Sequence, residues 1–151
     1  MSPGARAALV AAGTVALDQA SKAAVRSSIE RGDHVDLFLG IDLANVRNDG
    51  IAFGLFAGGG ALLAIFALLA LTALLVFFVH NRHRRLVWLP TGLLLGGAAG
   101  NLIDRIRDGA VTDFVDVSWW PAFNVADIAI TFGVLTLLYV LETSHGAPRR
   151  A

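Results

Sequence analysis

The chain has no cysteine and only one lysine, Lys22. The missing thiol excludes a cysteine nucleophile, a disulfide framework and a thiolate metal site in one observation. A serine–lysine hydrolase would have to use Lys22, yet its immediate neighbour Ser21 points elsewhere on a helix. Charge is also scarce: 16% of the 151 residues are charged and the formal net charge is zero, so nothing favours a nucleic-acid partner. His80 and His83 share a basic loop with no carboxylate between them, and His34 and His145 are isolated, so no metal-ligand spacing arises. The glycines of 96–100 are not followed by Lys and Ser or Thr, which removes a phosphate-cradling loop. Neither a metal nor a cofactor is expected.

What remains is apolar. Hydrophobic residues make up 56% of the chain and the mean hydropathy is +0.65, too high for an ordinary soluble domain of this length. Residues 57–79 carry no charge over a length that crosses hydrocarbon as a helix, and 86–106 are free of charge up to Ile103. Pro90 and the glycines of this third segment are tolerable where neighbouring helices pack closely. Two further spans each include charge: 7–28 with Asp18, Lys22 and Arg26, and 124–142 with Asp127 near its start. No small-x-small cleavage pattern leads from the first span into a separate soluble domain, so it reads as a helix rather than a leader. The sequence therefore predicts an all-α membrane protein, one domain over 1–151. It has four transmembrane helices, an outer segment at 30–56 between helices 1 and 2, and a disordered tail from about 144.

Orientation follows from the basic residues. Arg6, the 80–85 segment and Arg149–Arg150 mark one side as cytoplasmic, which puts both termini there and leaves 30–56 and 104–123 outside. Residues 35–46 alternate apolar and polar types before the turn signal Asn48-Asp49-Gly50, which is the pattern of short strands or of a plain loop. Trp119 and Trp120 suit the headgroup layer.

Several polar groups then stand where the chain leaves and re-enters the bilayer. Asn101, Asp104 and Arg105 lie within one turn at the outer end of the third helix, beside glycines that admit a close neighbour. Asp113 sits in a short extended stretch, and Asp127 lies just inside the fourth helix with Asn124 three residues earlier. A carboxylate next to hydrocarbon costs roughly 2.5–3.5 kcal/mol on insertion scales, so each needs a partner or a task. If Asp113 and Asp127 meet, they share one proton, and one can activate water while the other polarises a carbonyl. The alternative is a helix-capping aspartate plus a solvated loop aspartate. On that view the chain is a non-enzymatic membrane assembly factor or small transporter, with Asp18, Lys22, Asp104, Arg105 and Asp127 as intramembrane ion pairs. Asp18 and Lys22, in the favoured acid-then-base order, neutralise one another.

These residues carry a resemblance. Asp18-Gln19-x-x-Lys22, Asn48-x-Gly50-x-Ala52-Phe53, Gly96-Gly97-x-x-Gly100-Asn101-x-x-Asp104-Arg105, Val111-x-Asp113-Phe114 and Phe123-Asn124-x-Ala126-Asp127 occur in order. Together they resemble the motifs of the lipoprotein signal peptidase family, signal peptidase II, over nearly the whole chain. The resemblance implies a bacterial inner-membrane aspartic endopeptidase, with its active site near the outer leaflet and Asp113 and Asp127 catalytic. Its implied substrate is a prolipoprotein carrying diacylglycerol on the lipobox cysteine, cut just before that cysteine. Membrane lipid is the other implied partner, and a monomer is expected. Asn48, Asn101, Arg105 and Asn124 would line the site, with Asp18, Lys22 and Asp104 supporting it. Asp49 departs from the Thr or Pro frequent in such proteins.

Overall fold

The computed structural model describes residues 1–50, 60–84 and 86–145. In order they form α1 (Pro3–Ser28), β1 (His34–Phe38), β2 (Ile41–Asn48), α2 (Gly60–Asn81), α3 (Trp88–Asp108), β3 (Val111–Val117), β4 (Trp120–Phe123) and α4 (Val125–His145). The Ala52–Phe53 part of the second motif, the start of the expected second span and most of the expected tail lie outside the described residues.

Local chemistry sets the helix ends. Ser2 caps α1, its hydroxyl accepting from the Ala5 amide at 3.2 Å, with Pro3 at the first helical position. Pro90 falls in the first turn of α3, where an absent N–H removes no helical bond. Gly109 stops α3 in the left-handed conformation, φ 73°, its amide returning to the Arg105 carbonyl.

α3 is central, packed against α1, α2 and α4. Its glycines are the contact surface. A methyl on Gly96 would lie 2.8 Å from the Ala11 carbonyl oxygen of α1, and one on Gly97 would lie 2.5 Å from that of Ala126 in α4. These glycines therefore seat helices against one another, and Gly100 leaves room for the Asp18 carboxylate.

The side-chain distribution inverts that of a soluble protein. Lys22, Asp18, Asp104 and Asn124 are among the largest fully buried side chains, while α2 and α4 expose Ile65, Phe66, Leu68, Leu69, Phe132, Leu135 and Leu138. That exterior suits a hydrocarbon surround. Among the described residues, Val125–Thr143 of α4 is long and apolar enough to cross a membrane, and Ile65–Asn81 is a shorter apolar helix. α1 and α3 are less apolar, and Asp18, Lys22 and Asp104 of these helices meet inside the bundle.

Beyond the β-rich segment expected between helices 1 and 2, the extended stretch at Asp113 forms β3, and β4 follows it. All four strands form one antiparallel sheet in the order β1-β2-β3-β4, drawn equally from the α1–α2 and α3–α4 connections. Arg47 pairs with Thr112 and Val46 with Asp113 across β2 and β3. A hairpin of β1 and β2 alone would leave a ladder edge open, and β3 covers it. β4 is a short edge strand containing Pro121, a residue an edge tolerates. Val25 of α1 and Ile29 just after it pack with Phe114 of β3 and fasten the sheet to the bundle.

Candidate active site

The site is assembled on two helix ends and one strand. Asn124 precedes α4 and caps it: its Oδ1 accepts the Asp127 amide at 3.0 Å, while Asp127 Oδ2 accepts the Asn124 amide at 3.2 Å. This reciprocal pair satisfies two otherwise unpaired helix-terminal donors and holds the Asp127 carboxylate against the positive end of the helix. Asp18 Oδ1, reaching from α1, takes the next free donor, the Ala126 amide, at 3.0 Å.

The cap also fixes the Asn124 amide. With Oδ1 committed to the helix, Nδ2 points outward and donates to Asp113 Oδ1 at 2.6 Å and to Asn101 Oδ1 at 3.1 Å. Asn101 Nδ2 donates in turn to Asp127 Oδ1 at 2.9 Å. Asn48, at the end of β2, donates to the other Asp113 oxygen at 2.8 Å. Asn124 thus bonds both aspartates and joins the strand carboxyl to the helix carboxyl. Asp113 is only 2% exposed. Burial pushes its carboxyl up to about 6, with the Asp127 charge adding to the push and the Asn48 and Asn124 bonds opposing it.

Both aspartates line a cavity of about 280 Å³, with Asn48, Asn101 and Arg105 in its wall and Trp120 and Phe123 of β4 among its apolar boundary. Arg105 is tethered there, donating to the Gly50 carbonyl at 3.2 Å. Asn101, Arg105, Asp127 and Ile130 also border a second, mainly apolar cavity of about 470 Å³ between α2, α3 and α4. Polar and apolar chambers therefore share a wall that includes one of the carboxylates.

Lys22, Asp18 and Asp104 stand behind this wall. The ammonium of Lys22 meets Asp18 Oδ2 at 2.8 Å, Asp104 Oδ2 at 3.0 Å and Asn101 Oδ1 at 2.9 Å. Its three N–H donors find three acceptors, and the charged side chains are 0% exposed. The Asp18–Lys22 pair of the sequence is therefore a triad with one more acid than base. Asp104 shares the Lys22 ammonium with Asn101 and also accepts the Thr112 amide, at 3.2 Å. Gln19, unassigned in the sequence reading, links the two acids, donating to Asp18 at 3.1 Å and Asp104 at 3.0 Å. Its position one residue after Asp18 was the available signal. Ser21 donates to the Asp18 carbonyl, away from Lys22. Asp49 pairs with Arg47 at 2.7 Å, apart from the aspartates. Among the described residues, no three His, Cys, Asp or Glu side chains form a group suited to a metal ion.

The comparisons agree with this architecture. The family described as Signal peptidase (SPase) II matches residues 10–142. A lipoprotein signal peptidase of Syntrophomonas wolfei is 44% identical over 139 residues, covering 91% of this chain and 93% of its own. One from Moorella thermoacetica is 39% identical over 144 residues, covering 94% and 96%. A solved structure described as a bacterial membrane enzyme superposes with a TM-score of 0.87 at 30% identity, over 96% of this chain and 93% of its own. Matching sequence over most of the chain and matching fold over nearly all of it make this protein a member of the signal peptidase II family.

Proposed function

We propose that the chain is an aspartic endopeptidase that removes signal peptides from diacylglyceryl prolipoproteins, cleaving just before the lipidated cysteine. The observation that carries the reading is the bridging of Asp113 and Asp127 by Asn124 in one cavity. Two carboxyls held this way ionise in sequence rather than together and share a proton between the two steps.

Asp127, which accepts a backbone N–H at a helix N-terminus, takes the part of the base in this reading. Asp113, which burial pushes up to about 6, is the partner that donates the shared proton. Asp127 deprotonates a water, which attacks the scissile carbonyl while Asp113 donates its proton to the carbonyl oxygen. The gem-diol collapses with proton return to the leaving amine. Asn48 and Asn101 keep each carboxylate oriented, and the Arg105 guanidinium holds the peptide beside them.

The apolar cavity between α2, α3 and α4 supports the lipid part of the assignment. Acyl chains lying there would bring the modified cysteine to the shared wall at Asp127 and turn positioning into lateral diffusion. The domain works as a monomer, crosses the membrane four times with both termini cytoplasmic, and turns its sheet end to the outer leaflet. The buried Asp18–Lys22–Asp104 cluster sets the Asn101 amide rather than serving as a transport path, since every Lys22 donor is committed.

The test is cleavage of a diacylglyceryl prolipopeptide by purified wild type, Asp113→Asn and Asp127→Asn in lipid. Each variant is expected to lose on the order of 10²–10⁴ in kcat. Wild-type rates in both would remove the dyad, and no cleavage by wild type would remove the substrate assignment.

A further inference from the structure

Beside the start of β3 lies a cleft of about 380 Å³ whose lining includes neither Asp113 nor Asp127. Val111 and Thr112 both line it, and Val111 also borders the aspartate cavity. Four arginines from separate segments converge here: Arg26 in the last turn of α1, Arg31 just after it, Arg47 on β2 and Arg107 in the last turn of α3. Glu30 and Asp108 also line the cleft, and Asp49 and Asp104 reach Arg47 and Arg107 from beside it. Beneath them Ile29, Ala110 and Val111 form a buried apolar floor.

The cations are only partly spent. Arg26 donates to the neutral Thr112 hydroxyl at 3.1 Å. Arg47 uses its Nε on Asp49, and Arg107 is paired with Asp108 at 2.8 Å. Among the described residues, Arg31 makes no ion pair. Arg26 and Arg107 also offset the negative ends of α1 and α3, a role that accounts for those two without any ligand. Arg31 and Arg47 lie on neither helix, so that role does not reach them, and Asp49 occupies only the Nε of Arg47.

We propose that this cleft binds the phosphate group of an anionic phospholipid headgroup. Guanidinium forks match phosphate oxygens, and the apolar floor suits the glycerol end of the same molecule. The level is right as well: the cleft forms where α1 and α3 end and the sheet begins. In the orientation proposed above, that is the headgroup layer of the outer leaflet. A lipid there needs no capture from solution, whereas a free anion must compete with screening salt.

The test titrates the purified full chain, by native mass spectrometry, with phosphatidylglycerol, phosphatidylcholine and inorganic phosphate, each applied also to an Arg31→Gln/Arg47→Gln double variant. Wild type is expected to retain phosphatidylglycerol in preference to phosphatidylcholine. The double variant should lose affinity by about fivefold per arginine, on the order of 25-fold in all. Its cleavage rate in purely zwitterionic lipid should match wild type, which reports folding. If the double variant does not fold, Arg31→Gln alone should show the fivefold loss. Equal retention of the two lipids by wild type, or an undiminished preference in the variant, overturns the site. Inorganic phosphate binding without phosphatidylglycerol binding overturns the lipid as its source. Retention is read without turnover, so its outcome stands apart from that of the peptidase assignment.

Discussion

Replacing Asp113 by Asn separates the electrostatic state of the site from its hydrogen bonding. The Asp113 carboxyl rises from the ordinary 3.8 to about 6, chiefly through burial. A carboxyl raised in the folded state contributes stability that is fully present below its unfolded pKa and is lost as pH rises through the folded value. The wild type should therefore lose on the order of 3 kcal/mol between about pH 4 and pH 7 from this one group. The variant cannot titrate and escapes that loss. It bears a different penalty, because Asn48 and Asn124 both donate to residue 113 and an amide has only one acceptor oxygen to offer them. The resulting donor–donor clash costs roughly 1–3 kcal/mol and does not vary with pH. The measurement is thermal unfolding of both proteins in one detergent across pH 4–8. The variant should be the less stable at pH 4 and gain on wild type by about 3 kcal/mol by pH 7. Parallel curves would refute the raised carboxyl, whatever their vertical offset.

The same titration should appear in catalysis: kcat/KM is expected to fall as pH rises through about 6, where the free enzyme gives up the shared proton, and a flat profile from pH 5 to 8 would sink the one-proton dyad. Lys22→Met leaves Asp18 and Asp104 buried without their cation, and should cost about 3–5 kcal/mol in unfolding experiments, partly restored by adding Asp104→Asn. Gly97→Ala drives a methyl to 2.5 Å from the Ala126 carbonyl and should lower stability by about 1–3 kcal/mol, with loss of activity through displacement of the α4 start. Leu39 holds a left-handed conformation, φ 51°, in the β1–β2 turn and is 94% exposed. Leu39→Asn should therefore raise stability by about 1 kcal/mol, and an unchanged melting temperature would show that the turn relaxes.

Features spelled within one helical turn were legible. Asp18 and Lys22 are an i,i+4 pair and form an ion pair. Asn124 and Asp127 stand in capping spacing, although the sequence reading treated Asn124 as a wall residue and missed that its cap fixes the amide. Asp104 shares a turn with Asn101 and Arg105, but α3 is packed on more than one side, and Asp104 lies on the side met by α1. β4 was read only as an aromatic interface, because four residues including a proline carry no alternation long enough to mark a strand. The basic cleft was invisible, its arginines being single residues in separate segments.

Composition and motif order alone establish the apolar class, the exclusion of thiol chemistry and the likeness to the family. Tertiary structure decided which polar groups meet. Asn48 reaches Asp113 across a separation of 65 residues, and Asp18 reaches the Ala126 amide across 108. Helical and strand periodicity fixes which face a side chain takes on its own element, but contacts between elements depend on how closely the backbones approach. Here that approach is set by glycines on α3 and by a sheet shared between two connections. The two aspartates of the sequence became one site only when those elements packed.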